Sequence, residues 1–179
     1  NLTKGTSVSK QLQQPFYKSL LFLPNITKIV IETTDDEKIL EKIVDGNDVL
    51  IEKSDVNGPS SSEEYIVFDK VSRLGDKVAK IAIAISKDSH YDYSKEKLYC
   101  YFPVRNFDTP IHALINAPFI TNNSRDDVPD DSEQINKRIF TEVLEFISEV
   151  AEKLSKPEYE DIALKMVTPF LDNKLWDSD

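Results

Sequence analysis

Glycine is scarce in this sequence, with four glycines in 179 residues, at positions Gly5, Gly46, Gly58 and Gly75. A glycine-rich phosphate loop needs several glycines close together, so that backbone N–H groups can approach a nucleotide. The scattered glycines therefore argue against a nucleotide pocket built within this chain, and no cofactor is expected in it.

Cysteine and histidine are also scarce. Because Cys100 is the single cysteine, the chain cannot form an internal disulfide, which favours a reducing compartment and predicts a cytoplasmic protein. Cys100 lies in LYCYF and is interpreted as a small buried hydrophobe rather than a nucleophile. His90 and His112 have no second histidine or cysteine at metal-ligand spacing, so no metal site is predicted. We interpret His112 as a strand residue beside the sheet surface.

Basic residues are outnumbered, 22 against 32 acidic ones, and the formal net charge is −10. This charge argues against nucleic acid or an anionic membrane as a partner for the surface as a whole. No apolar run has the length of a membrane-spanning helix. Hydrophobic residues make up 40% of the chain, which is enough for a folded core, and the length suits one substantial domain.

Strand patterns dominate the first two thirds of the chain. We predict a strand over residues 20–33 with a bend at Pro24, a turn or short helix over 35–44, a strand over 48–54 and a mobile loop over 55–64. Further strands are predicted in EYIVFDKVS, KVAKIAIAIS, KLYCYFPV and IHALINAPFIT. The apolar run AIAI, residues 82–85, allows burial on both faces and is the candidate central strand.

The pattern then changes to a helical one. Apolar residues from Ile135 to Leu154 recur every three to four positions, which predicts an amphipathic helix, and Asp130 with Glu133 has the spacing of a capping box. Pro157 would end this helix, and residues 158–170 predict a second, shorter one. Strands followed by helices indicate an α+β domain, with a mostly antiparallel or mixed sheet and helices on one face.

Two separated segments resemble a known family. KGTSV, residues 4–8, followed by LLFLPNITKI resembles the last box and exit strand of the ATPase domain shared by gyrase, ninety-kilodalton heat-shock chaperones, histidine kinases and MutL, in its sacsin-like branch. LYCYFP followed by IHALINAPFITNNSRD is similar to the sacsin-type pattern of a strand ending in Phe-x-Pro and a later strand that closes on an Asn-x-Ser-Arg turn. The resemblance covers most of residues 1–155.

The resemblance implies that this chain is a piece of a longer protein, as does its start on Asn1 without a methionine. Residues 1–19 are then expected to be a remnant of the preceding ATPase domain or a linker, 20–156 a middle, transducer-like domain, and 157–179 a C-terminal helix and tail. The fold that the resemblance implies is a left-handed β-α-β type related to the second domain of the small-subunit ribosomal protein five.

The function implied is that of a non-catalytic middle domain in a chaperone-like ATPase. ATP and magnesium would be held by the upstream domain of the same polypeptide, so this chain would not be an enzyme by itself. Its task would be to couple ATP binding to a conformational change. The partners implied are the upstream ATPase domain and, beyond it, protein clients or further copies of the protein.

The resemblance also assigns site residues. Arg125 would correspond to the middle-domain arginine that approaches the ATP γ-phosphate when the two domains close. Its permanently charged, forked guanidinium suits the charge on transferring phosphoryl oxygens. Asn123 and Ser124 could orient the turn by hydrogen bonds to the backbone. Gly5 and Thr6 would border the phosphates of the nucleotide.

The sequence departs from the chaperone pattern directly after Arg125. Asp126 and Asp127 stand where that pattern has one acid followed by apolar residues, so a local ion pair of Arg125 is an alternative to the phosphate role.

Two other functions remain open on the sequence. One is a stand-alone protein-interaction module without nucleotide chemistry, which would use the loop over residues 55–64 and the acidic surface. The other is a small enzyme or divalent-metal site drawn from Asp126, Asp127, Asp130 and Asp131. Carboxylates near the N-terminus of a helix are favoured by its partial positive charge, which accounts for these four without a site.

Overall fold

The computed structural model describes residues 15–32, 37–56, 58–74, 77–124 and 133–167. The strands in these residues are β1 (Lys28–Glu32), β2 (Glu37–Asp45), β3 (Asp48–Asp55), β4 (Ser61–Leu74), β5 (Lys77–Ser86), β6 (Lys97–Cys100), β7 (Phe102–Asp108) and β8 (Leu114–Asn116). They form one eight-stranded sheet in the order β1-β2-β3-β4-β5-β8-β6-β7. All pairs are antiparallel except β6 with β8. The α+β class with a mixed, mostly antiparallel sheet is thus confirmed.

In the part of the chain that the structure describes, two α-helices follow the strands, α1 (Glu133–Lys153) and α2 (Glu160–Val167), and they lie on one face of the sheet. Short 3-10 helices span Pro15–Phe22, Tyr93–Lys95 and Pro157–Tyr159. The predicted long helix is confirmed, with Ile139, Val143, Phe146 and Val150 buried against the sheet. Ile135, the first residue of the predicted apolar stripe, is 49% exposed and does not reach the core.

Strand β5 lies in the middle of the sheet between β4 and β8, as the apolar run over residues 82–85 predicted. Its isoleucines Ile81, Ile83 and Ile85 face α1 and α2, whereas Ala82 and Ala84 face the opposite side. Both faces are buried because the α-helices cover one side and the 3-10 helix Pro15–Phe22 covers the other.

The prediction of one strand over residues 20–33 is wrong in its first half. Leu20, Leu21 and Phe22 end the first 3-10 helix and are buried on the sheet, and strand β1 starts only at Lys28. The Nζ of Lys42 donates hydrogen bonds to the carbonyl oxygens of Leu20 (2.9 Å) and Leu23 (2.5 Å). These bonds satisfy carbonyl groups at the helix end, where the intrahelical pattern stops.

This helix also bears on the predicted domain limits. The limit that we predicted after residue 19 falls inside the 3-10 helix Pro15–Phe22. The limit that we predicted after residue 156 lies between α1 and α2, and α2 packs on the same core as the sheet.

The turn or helix predicted over residues 35–44 is also wrong, because β2 occupies Glu37–Asp45. Pairing with β1 on one side and β3 on the other outweighs the charged composition of this segment. A tight turn follows β2: Gly46 has a positive φ of 60° in the two-residue connection between Asp45 and Asp48. A left-handed backbone of this kind suits glycine.

Two further strand predictions are correct in place but not in extent. KLYCYFPV is divided at Tyr101, whose φ of 61° turns the chain sharply, so that Cys100 pairs with Phe102. In IHALINAPFIT the strand β8 includes only Leu114–Asn116. The loop predicted over 55–64 is shorter, since β4 begins at Ser61.

Candidate functional site

The residues to which the sequence assigned catalytic, phosphate-binding or metal-binding roles lie outside the described part of the chain. This applies to Arg125, Gly5 and Thr6, and equally to the four aspartates between positions 126 and 131. Their proposed roles stay predictions. The structure does describe residues 117–124, which lead directly to Arg125 and which we call the stem.

Helix α1 holds the stem by hydrogen bonds from the side chain of Asn136. Asn136, 9% exposed, donates from Nδ2 to the carbonyl oxygen of Ile120 at 2.9 Å and accepts the Ile120 N–H through Oδ1 at 2.8 Å. A side-chain amide that bonds both the N–H and the C=O of one residue takes the place of a neighbouring β-strand at that residue. The stem is therefore fixed to α1 at Ile120, five residues before Arg125.

The stem is also held by strand β6. The Ala117 N–H donates to the carbonyl oxygen of Tyr99 at 3.0 Å, and the Cys100 thiol donates to the carbonyl oxygen of Phe119 at 3.3 Å. Cys100 was predicted to be buried and is half-buried, with its thiol directed at the stem. The start of the stem is therefore hydrogen-bonded to both β6 and α1.

A strained turn lies beside the stem. Tyr101 has a positive φ, which costs a non-glycine residue about 1–2 kcal/mol. Its N–H donates to Oδ1 of the buried Asn116 at 2.6 Å, and this bond from the end of β8 offsets part of the strain. The side chain of Tyr101 is 42% exposed. Asn116 thus connects the β6–β7 turn to the strand from which the stem leaves.

A second polar cluster lies where β4 begins and β5 ends, and the sequence patterns did not indicate it. Lys18 of the first 3-10 helix forms an ion pair with Glu96, and each of these side chains is 8% exposed. The Tyr91 hydroxyl donates to Oε1 of Glu96 at 2.8 Å and accepts a hydrogen bond from Lys18. The pair links the N-terminal segment to the residue that precedes β6.

Glu63 is the second carboxylate of this cluster. It accepts hydrogen bonds from Tyr17 (2.9 Å), Lys53 (2.5 Å) and Tyr65 (2.6 Å). Burial by itself raises the pKa of Glu63, but the bonds from Lys53, Tyr65 and Tyr17 outweigh it and hold the pKa below its ordinary value. Burial and the charge of Glu63 both raise the pKa of the Tyr17 hydroxyl, so that this group stays a donor.

We expect the stability of the fold to depend on the ionisation of Glu63. Because its folded-state pKa is depressed, its contribution to the free energy of unfolding is present above the ordinary pKa of 4.5 and is lost as the pH falls through the folded-state value. Glu63→Gln should therefore unfold more easily at neutral pH and lose less stability on acidification. Urea unfolding between neutral and acid pH measures this.

The matched control is Glu64→Gln, since Glu64 is an exposed neighbour on the same strand. It should retain the acid dependence of the unsubstituted protein. An equally steep acid dependence in Glu63→Gln would contradict the assignment.

Two cavities flank the segment from Ser86 to Tyr91, which contributes Ser86, Asp88 and Tyr91 to both of them. The larger, of about 440 Å³, is lined mainly by charged groups, namely Glu63, Glu64, Lys87 and Asp88. The smaller, of about 220 Å³, is lined by both histidines, by Tyr93 and by apolar residues of β5 and α2. His112 was predicted to be a strand residue. Instead it precedes β8, and its ring lies edge-on to Tyr93 at 6.0 Å.

Within the described ranges, no three or more histidine, cysteine, aspartate and glutamate side chains are grouped so that they could hold a metal ion. The helices described by the structure are all too short or too polar to cross a membrane. Comparison with protein-family models, with curated proteins and with solved structures found no match for this chain.

Another buried polar residue, Lys42, lies outside this cluster and had a signal in the sequence. Lys42 follows Leu40 at the two-residue period of a strand, and both side chains are buried on the same face. A lysine at such an inward position predicts a buried partner for its ammonium group. The pairing of Lys18 with Glu96 had no comparable signal, because these residues are far apart in the sequence and meet only in the folded sheet.

Proposed function

We propose that this chain is the middle domain of a chaperone-like, sacsin-like ATPase. It would be non-catalytic alone, and it would couple ATP binding in an upstream domain of the same polypeptide to a conformational change. Arg125 would reach the γ-phosphate of the ATP, and Gly5 and Thr6 would border its phosphates. The upstream domain would hold ATP and magnesium, and the protein would act in the cytoplasm on clients or on further copies of itself.

The observation that carries this proposal is the anchored stem. Asn136 binds both backbone groups of Ile120, and β6 binds the stem at Ala117 and Phe119. An arginine that assists phosphoryl transfer has to be presented from a rigid support, because a displacement of about 1 Å at such a site costs much of the effect. The Asn-x-Ser-Arg sequence follows this support directly.

The attachment of the N-terminal segment also supports a coupling role. Lys18 pairs with Glu96 in the interior, and Lys42 binds the end of the Pro15–Phe22 helix. A movement of the chain that precedes Pro15 would therefore act on the sheet rather than on a loose linker. The mixed sheet with α-helices on one face supports the proposed likeness to the second domain of the small-subunit ribosomal protein five. The parallel strands β6 and β8 do not, because β7 and not a helix connects them.

The 179-residue chain alone is expected neither to bind nor to hydrolyse ATP, whereas the complete polypeptide encoded by the gene does both. Isothermal titration with ATP and magnesium, together with a phosphate-release assay on both proteins, measures this. ATP hydrolysis by the isolated chain would contradict the middle-domain proposal. So would a gene that encodes no helix bearing Glu and Asn and no D-x-G-x-G box upstream of Asn1.

A protein-interaction module is the second candidate function, and one surface favours it. The described core on the helix side contains no residue of β1, β2 or β3. On that side the apolar Val30 (44% exposed) pairs with Ile39, and Ile43 (47% exposed) pairs with Leu50. This role would be preferred if the gene lacks the upstream ATPase boxes.

A further inference from the structure

The two histidines of the chain, far apart in the sequence, line one cavity of about 220 Å³. It lies where β5 ends, between the loop after β5, the residues before β8 and helix α2. Small-molecule sites are concave, partly apolar and furnished with a few polar groups that converge. This cavity has that character, and neither the stem nor the proposed ATPase coupling uses it.

Four of the nine residues that line the cavity carry aromatic rings, and two of these are the tyrosines Tyr91 and Tyr93. The ring of Tyr93 lies 4.6 Å from that of Tyr91 and 6.0 Å from that of His112, measured between ring centroids. Tyr93 is fixed in place, since its hydroxyl oxygen accepts the Ser86 N–H at 2.6 Å. Aromatic rings carry negative charge density on their faces, so an array of rings attracts cations.

A carboxylate completes the lining. Asp88 is exposed at the cavity, and its Oδ1 accepts the His90 N–H at 2.9 Å. A carboxylate has about four lone-pair sites, so this bond leaves it able to accept from a ligand. A carboxylate beside aromatic rings favours a positively charged ligand and disfavours an anion. Ile85 and Ile162 add apolar contact, which suits carbon-bearing cations rather than bare metal ions.

One tyrosine of the cavity wall already contacts an ammonium group inside the molecule. The Nζ of Lys18 lies 4.8 Å from the centroid of the Tyr91 ring, and Tyr91 lines the cavity. Tyr17, which does not line the cavity, makes the same kind of contact with the Nζ of Lys53 at 4.2 Å. Contacts between tyrosine rings and ammonium groups thus already occur in this fold.

We propose that this cavity is a binding site for an organic ammonium ion, with Asp88 as the counter-ion and Tyr91, Tyr93 and His112 as the aromatic walls. The ammonium can belong to a small free amine or to a lysine side chain of a partner protein. Both sources present the same group to the cavity, and the test separates them.

The test titrates the 179-residue chain with tetramethylammonium chloride, observed by NMR, with sodium chloride as the ionic-strength reference. We expect saturable shifts at residues lining the cavity that sodium does not cause. Asp88→Asn keeps the acceptor for the His90 N–H but removes the charge, and it should weaken binding about tenfold. The control is Asp92→Asn in the same loop, where Oδ1 likewise accepts a backbone N–H, from Ser94. It should bind as tightly as the unsubstituted chain.

Acetyl-trimethyllysine methylamide, used in a parallel titration, separates the two sources. Tighter binding than tetramethylammonium would indicate a partner lysine, and equal binding would indicate a free amine. Ile162→Lys supplies a second check, because its own ammonium should occupy the cavity and block both probes. The proposal is overturned if no ammonium probe gives a saturable response, or if Asp88→Asn binds as tightly as the unsubstituted chain.

Discussion

In the complete polypeptide, Arg125→Ala is expected to lower ATP turnover by about 10³-fold, the effect of removing an arginine that stabilises charge on a transferring phosphoryl group. ATP affinity should change little, because the upstream domain would bind the nucleotide. Single-turnover hydrolysis with saturating ATP measures the chemical step, and titration with a non-hydrolysable analogue measures binding. This pair of results would distinguish a transition-state contact from a structural salt bridge.

Two further variants serve as a control and as a second test in the Arg125 experiment. Arg138→Ala removes an exposed arginine from the next helix and should leave turnover unchanged. Asn136→Ala removes both hydrogen bonds to Ile120 and should lower turnover while Arg125 is intact, because the support of the stem loosens. Unchanged turnover in Arg125→Ala, with ATP still bound, would refute the γ-phosphate role and favour a local pair with Asp126 or Asp127.

Lys18→Met is expected to destabilise the fold by about 3–5 kcal/mol, since removing one partner of a buried ion pair leaves the other charge uncompensated. Glu96 is that charge: its side chain is 8% exposed, and Tyr91 would remain as its hydrogen-bond donor. Urea unfolding at neutral pH, followed by circular dichroism, gives the change in the free energy of unfolding. The loss should be large because the pair joins the first 3-10 helix to the sheet.

The matched control is Lys97→Met, which breaks a more exposed pair with Asp108. It should cost less than about 1 kcal/mol, as surface pairs do. The double variant Lys18→Met with Glu96→Leu should recover much of the loss, because no buried charge then remains unpaired. A cost of Lys18→Met similar to that of Lys97→Met would show that water reaches Glu96.

The local sequence pattern was sufficient to predict a helix or strand where one face of that element is buried along its whole length. Helix α1 followed from the spacing of Ile139, Val143 and Phe146, since a helix that packs on a sheet needs an apolar stripe of that period. Strand β5 followed from a run that is apolar on both sides. In both segments the local preference and the tertiary contacts favour the same structure.

The local sequence pattern gave a wrong secondary structure where contacts with residues distant in the sequence decided the conformation. LLFL, residues 20–23, suits a strand or a helix equally well, and the bonds from Lys42 to its carbonyl groups favour the helical turn. Residues 37–45 are charged enough for a loop, yet β1 and β3 on either side make them a strand. Neither partner can be identified from the segment itself.

The sequence by itself determined the α+β class, the long helix, the central strand and the acidic surface, because each depends on composition or on a short period. Only the tertiary structure decided which polar groups meet. It brought Lys18 to Glu96, three donors to Glu63, and His90 and His112 to one cavity with Asp88. Buried polar groups have to find partners wherever the sheet places them, and strand order sets those places rather than proximity along the chain.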